Sequence, residues 1–173
     1  VTMDRLRDRL EEGDRRVIGA AGAVADTVRR NPDRIAELIG LVDDDDTAVV
    51  AHTAHAMMQI AQDEPALFDP FADTLLDRLE ALRQWEIGEQ LPKILVCLPL
   101  TDNQAERLYD ILCANIQDRS NIVAACSLQG IVDLARDGRV DRGRAQAALN
   151  AALGSHRKAL AARARRLQKY LPA

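Results

Sequence analysis

From Asp46 to Pro65 the chain reads DTAVVAHTAHAMMQIAQDEP, a complete helix with a cap, an apolar stripe and a stop, and its neighbours are weaker copies of it. Asp46 can accept a hydrogen bond from the open amides of the first turn. Val49, Thr53, Ala56, Met57 and Ile60 then fall at the spacing of one buried helical face, and Asp63-Glu64-Pro65 ends it. The same frame makes Asp14, Asp46, Gln84, Ser120 and His156 equivalent starts, with Val17, Val49, Ile87, Val123 and Ala159 three residues later. The steps between starts are 32, 38, 36 and 36 residues, the period of a two-helix repeat and not of a strand system. The expectation is an all-α chain, a single helical-repeat domain over residues 1–173 with about four helix pairs plus end helices.

Composition agrees with helices that pack closely. Nearly half of the 173 residues are apolar, only 3% are aromatic, and Ala and Leu supply most of the rest. Cys97, Cys113 and Cys126 are odd in number and form no Cys-x-x-Cys, so they read as small hydrophobes in a reducing cytoplasm, without a disulfide framework or a zinc knuckle. No stretch approaches the roughly 20 apolar residues of a membrane span, and none reads as a secretory leader. The net charge of −4 is unevenly spread: residues 1–86 carry 10 basic and 19 acidic groups, and residues 87–173 carry 13 and 8. Nearly all the basic groups are Arg.

Taken in order, Met3 to Glu12 reads as a short helix with Leu6 and Leu10 on its apolar edge. Asp14 to Arg30 follows as a first helix with Val17, Ala21, Val24, Ala25 and Val28 inward, and Gly19 and Gly22 suggest a close crossing with a neighbour. Asn31-Pro32 breaks it, and Asp33 to Val42 buries Ile35, Leu38 and Ile39. The run Asp43 to Asp46 caps the next helix and is otherwise a solvated turn, since it lacks the alternating ligands, Gly and distal Glu of a calcium loop. Ala66 to about Leu82 carries Leu67, Phe71, Leu75, Leu76 and Leu79 inward. With no stop between Leu82 and Ile87, residues 72–91 could run as one bent helix. Gln84 starts a helix carrying Ile87, Leu91, Ile94, Leu95 and Leu98, with Pro92 as an interior kink. Thr101-Asp102 starts the next, with Ala105, Leu108, Leu112 and Ile116 inward. Ser120 caps a helix with Val123, Ser127, Gly130, Ile131 and Leu134, and Asp137-Gly138 turns the chain. Asp141 to Leu153 buries Ala145, Ala148, Leu149 and Leu153. His156 to Leu171 has Leu160, Ala164, Leu167 and Leu171 on one edge, with Arg157, Lys158, Arg163, Arg165, Arg166 and Lys169 around the rest.

This pattern of an Asp or Ser cap, Val three residues on, a run of small residues, an aliphatic near the helix end and Pro or Gly in the turn resembles the HEAT/armadillo class of helical-repeat proteins. It is clearest in residues 46–65 and 120–138, and Pro92 resembles the kinking proline of many HEAT units. The resemblance covers about 160 residues and implies an α-α superhelix that works as a non-catalytic scaffold or adaptor. A protein partner would bind on the concave face lined by second helices, through Arg34, Glu37, Asp69, Asp73, Arg107, Arg142, Arg144 and Asn150.

Residue patterns for chemistry are sparse. His52 and His55, three apart, are the one metal-like pair, and the repeat frame puts them off the core stripe as surface histidines. No His is followed by Glu, the dipeptide used by iron-binding HEAT-type hydroxylases. No cofactor or metal is therefore expected. The carboxylate pairs Asp69/Asp73 and Glu86/Glu89 read as solvated faces. Trp85, at a repeat junction, reads first as packing between repeats. A HEAT-like class of alkylpurine DNA glycosylases uses aromatic and acidic residues on a basic concave face, so Trp85 beside Glu86 or Glu89 supports the alternative of a nucleic-acid binder. The basic helix with Arg163, Arg165 and Arg166 has three readings: a polar end cap, a site for an acidic protein, including weak head-to-tail association with the Asp43 to Asp46 side of another copy, and a nucleic-acid contact.

Overall fold

The computed structural model describes residues 5–13 and 19–171, and among these it is all-helical, with no strand. The chain divides into two compact units, the first ending at Phe71 and the second beginning at Ala72. No helix among the described residues is long and apolar enough to cross a membrane.

The first unit is built around α4 (Thr47–Asp63), the most strongly patterned stretch of the sequence. Asp46 caps it, accepting from the Ala48 amide at 2.8 Å. Against α4 pack α1 (Leu6–Leu10), α2 (Ala21–Arg30) and α3 (Ile35–Gly40). Covered on three sides, α4 buries Val49 through Ala54 without interruption, as well as Met57 and Ile60. His52 is therefore a core residue and not the surface histidine expected from the repeat frame: it is fully buried, with Nδ1 2.7 Å from the Leu10 carbonyl oxygen. A carbonyl only accepts, so Nδ1 carries the proton and ties α4 to the end of α1. His55 is half-buried.

The expected start at Asp14 lies outside the described residues, and α2 begins only at Ala21. Gly19 is not in the helix but in a left-handed turn, φ 55°. A β-carbon there would sit 3.1 Å from both the Glu12 carbonyl oxygen and His52 Cε1, so the turn lies flat against the imidazole and glycine is needed twice over. The stretch after α4 also departs from a continuous helix. Pro65–Phe71 is a 3-10 helix containing Pro70, and its tighter period turns Phe68 into the core while Leu67 and Phe71 are only half-buried.

The second unit holds α5 (Ala72–Glu80), α6 (Trp85–Leu95), α7 (Asp102–Asn115), α8 (Asn121–Arg136), α9 (Arg142–Leu153) and α10 (Lys158–Leu167). Helices α5 and α6 are separate, because residues 81–84 leave the helix and Gln84 is extended. Helix α8 is the centre, packed against α6, α7, α9 and α10. Ser120 caps it through the Val123 amide, and Gly138, φ 69°, ends it in a left-handed turn. There the Arg139 amide donates to the Leu134 carbonyl and the Gly138 amide to that of Ala135.

Helices α6 and α8 run side by side in the same direction. A β-carbon on Gly88 would meet Val123 Cγ2 at 2.8 Å, and one on Gly130 would reach Pro92 at 3.6 Å, so positions advance together along both helices. In α9 the buried residues are Ala145, Leu149 and Ala152; Ala148 and Leu153 are only half-buried, as is Ile116 beyond α7. On α10, Leu160, Ala164 and Leu167 are buried as expected, as is Leu171 beyond its end, but the helix cap is Arg157 and not His156.

Thr53 and Ser127 occupy the same place in the repeat frame, seven residues after their caps, and both are fully buried with a hydroxyl that has no hydrogen-bond partner. Such an oxygen carries a desolvation cost with no return. Ser127→Ala is expected to leave the melting temperature unchanged or raise it, by up to about 1 kcal/mol of stability. A clear loss on thermal denaturation would mean that the hydroxyl has a partner.

Candidate interaction surface

Several arginines bond to acceptors 27–41 residues away in the chain, and this decides which charges remain for a partner. In the first unit Arg7 grips Asp44 with two hydrogen bonds of 2.8 and 3.0 Å, and Arg29 donates to Asp63 at 2.9 Å and to the Gln59 carbonyl. In the second, Arg107 on α7 bridges Asp77 and Glu80 around α5, while Gln104 donates to Asp73. Arg144 on α9 pairs with Glu106 at 2.6 Å and Asp110 at 3.6 Å, and stacks on Tyr109, 4.1 Å from the ring centroid. Burial, above all, pushes the Tyr109 phenol up to about 12, so it stays neutral beneath that guanidinium. Arg139 donates to the Leu98 carbonyl at 2.7 Å.

Arg157 is the fullest case. Its guanidinium donates to the carbonyls of Ile116, Asp118 and Arg119 and to Asn121 Oδ1, closing the orphan acceptors past the end of α7. It is thus a structural clip and not one of the free charges expected around the last helix. Arg157→Gln is expected to lower stability by about 1–2 kcal/mol, since charge-assisted bonds to several carbonyls are lost from a half-buried site. Urea denaturation would read this as a lower midpoint at unchanged slope.

Most of the residues expected to line a concave face are accordingly engaged with their own chain. Arg34 pairs with Glu37 at 2.8 Å, and Glu37 also accepts the Leu6 amide at 3.0 Å. Burial opposes ionisation of Glu37, but the Arg34 and Leu6 bonds prevail and hold its carboxyl below the usual range. Asn150 accepts from Gln146. Asp69 and Arg142 are exposed. Within the second unit the structure gathers Asp73, Arg107 and Arg144 into one ladder of contacts across α5, α7 and α9, and that face is largely neutralised from within. The acidic run is similarly committed. Asp44, pulled down by its hydrogen bond to Arg7, accepts the Asp46 amide as well, and Asp46 caps α4.

At the start of α6 the expectation for Glu86 is reversed: Trp85, expected in packing, is 39% exposed, whereas Glu86, expected in solvent, is 2% exposed. The reason is register: Glu86 begins the stretch Glu86-Ile87-Gly88 that faces into the fold, leaving Trp85 on the outer face one turn before Glu89.

That outer face carries the feature that sequence reading missed. Because α8 is covered on nearly every side and bears small residues outward, α6 and α10 stand above it as walls, and a groove of about 410 Å3 runs between them. Ile122, 44% exposed, and Ala125 and Cys126 form its floor; Ala159, Ala162, Arg163 and Arg166 form one wall, Glu89 and Lys93 the other. Glu89 and Lys93 pair at 3.5 Å, while Arg163 and Arg166 make no ion pair among the described residues. Burial raises the Cys126 thiol above its ordinary pKa, so it is an apolar floor group and not a thiolate. The sequence signal was present in Ile122, a large apolar residue just after a cap, outside the buried stripe.

No family model matches this chain, and no curated protein matches it in sequence. No group of three or more His, Cys, Asp or Glu side chains suited to a metal ion occurs among the described residues.

Proposed function

We propose that this chain is a helical-repeat module of the HEAT/armadillo type whose work is to bind a protein partner without catalysis. The observation that carries this reading is the order of packing. First helices lie side by side and parallel, α2 beside α4 in one unit and α6, α8 and α10 in the other, with second helices α5 and α7 likewise adjacent. In the second unit Arg107, Arg144 and Arg157 each reach 30–39 residues back, from α7 to α5, from α9 to α7 and from the start of α10 to the end of α7. Such stacking holds extended surfaces in fixed register, which is what repeat proteins offer to partners. Three free thiols suit a reducing cytoplasm.

The reading is tested by affinity capture with the purified chain as bait. The expected result is a protein retained in stoichiometric amount and recovered chemically unchanged. Turnover of a co-purifying small molecule, or retention of nucleic acid alone, would overturn it.

Nucleic acid is the second reading, and Arg163, Arg165 and Arg166 on α10, which make no ion pair among the described residues, are what favour it. The inward commitment of Arg107, Arg139, Arg144 and Arg157 speaks against it, since phosphate binding needs many free cations along one track. A gel shift with a random duplex is expected to show no complex at about 150 mM salt and at most a weak, salt-sensitive one well below that.

A further inference from the structure

We propose that the groove over α8, walled by α6 and α10, is the docking site, and that its occupant is an amphipathic helix of a partner protein with acidic residues along one flank. The proposal rests on the interaction-module reading and moves the contact from the second helices to the first. Three observations carry it. Beyond Asn121 at its end the floor is apolar and open, with Ile122 44% exposed and Cys126 at its base, so a stripe of apolar side chains has somewhere to go. The α10 wall is lined by Ala159 and Ala162, which allow a helix backbone to come close, and a peptide helix anchors through i, i+3, i+4 and i+7 side chains in such a groove. The charge is one-sided: Glu89 neutralises Lys93 on the α6 wall, while Arg163 and Arg166 line the α10 wall with no ion pair among the described residues. A helix lying in the groove with Asp or Glu on its α10 flank would satisfy both guanidiniums, and one with Lys there would be repelled. Trp85, 39% exposed one turn before Glu89, lies outside the groove's lining but on the helix that forms its wall, close enough in the chain to sense a helix laid along α6.

The test uses the full chain and two synthetic 18-residue helical peptides. Both carry Leu at the anchor spacing, and their flanks differ only in being Glu or Lys. Trp85 is the sole tryptophan, so its emission reports docking directly when the peptides contain none. The Glu peptide is expected to shift Trp85 emission and to bind at least tenfold more tightly than the Lys peptide. Arg163→Glu with Arg166→Glu is expected to reverse that preference, and Ile122→Asp to abolish binding of both. These residues are exposed or half-exposed, so unchanged melting curves would accompany every variant. Equal binding of the two peptides, or a preference that survives the double charge reversal, overturns the proposal, as would selective binding of a small anion such as inorganic phosphate in place of the peptide. If a captured natural partner binds the Ile122→Asp and double-Glu variants as well as wild type, the groove proposal fails while the interaction-module reading stands.

Discussion

Met57→Asp is expected to melt more than about 15 °C below the wild type. Met57 is fully buried on α4, the helix against which α1, α2 and α3 pack, so an aspartate there is a buried charge with no partner provided for it. Such groups cost several kcal/mol, about 3–5 when a buried charge has no partner. In a unit of this size each kcal/mol moves the midpoint by roughly 4–8 °C. Gln59→Asp is the control, two residues on and half-buried, and is expected to stay within about 0.5 kcal/mol of wild type. Equal melting temperatures for the two variants would rule out the helical face assigned to α4.

Gly88→Val should weaken the second unit by about 3 kcal/mol through overpacking. A β-carbon at Gly88 would stand 2.8 and 2.9 Å from the two γ-carbons of Val123 and 3.2 Å from Leu82 Cδ2. Val123 is β-branched and holds one strongly preferred rotamer in a helix, so its methyls cannot turn aside, and α6 must lift off α8. The better helix propensity of Val returns less than about 1 kcal/mol. Gly130 offers the contrast. A β-carbon there would meet Leu112 Cδ1 at 2.8 Å, the far end of a flexible side chain that can swing away. Gly130→Ala is therefore expected to stay within about 1 kcal/mol of wild type. Chemical denaturation of both variants checks the difference, and a wild-type midpoint for Gly88→Val would contradict the close α6–α8 contact.

Helix by helix, what could be read in advance follows from range. Asp46 and Ser120 cap their helices as expected because a cap is a bond between a side chain and an amide two or three residues away. The stripes Val49–Met57–Ile60 and Val123–Ile131–Leu134 are buried as expected because the 3.6-residue period is a local property of the backbone. The misreadings share another cause. His52, Glu86 and Phe68 went into the core, and Trp85 stayed out, according to how many neighbours each element acquired and in what register. A stripe-based reading gives every helix one wet side, and α4 and α8 have almost none. The basic C-terminal third was legible as composition, yet whether a given arginine is free depends on acceptors 30–41 residues away, as for Arg107, Arg139 and Arg157. Local bonding and period thus determined the helices and their ends. Only tertiary packing decided which charges were spent inside the fold and left Ile122, Arg163 and Arg166 around an open groove, because burial and ion pairing are set by neighbours remote in the chain.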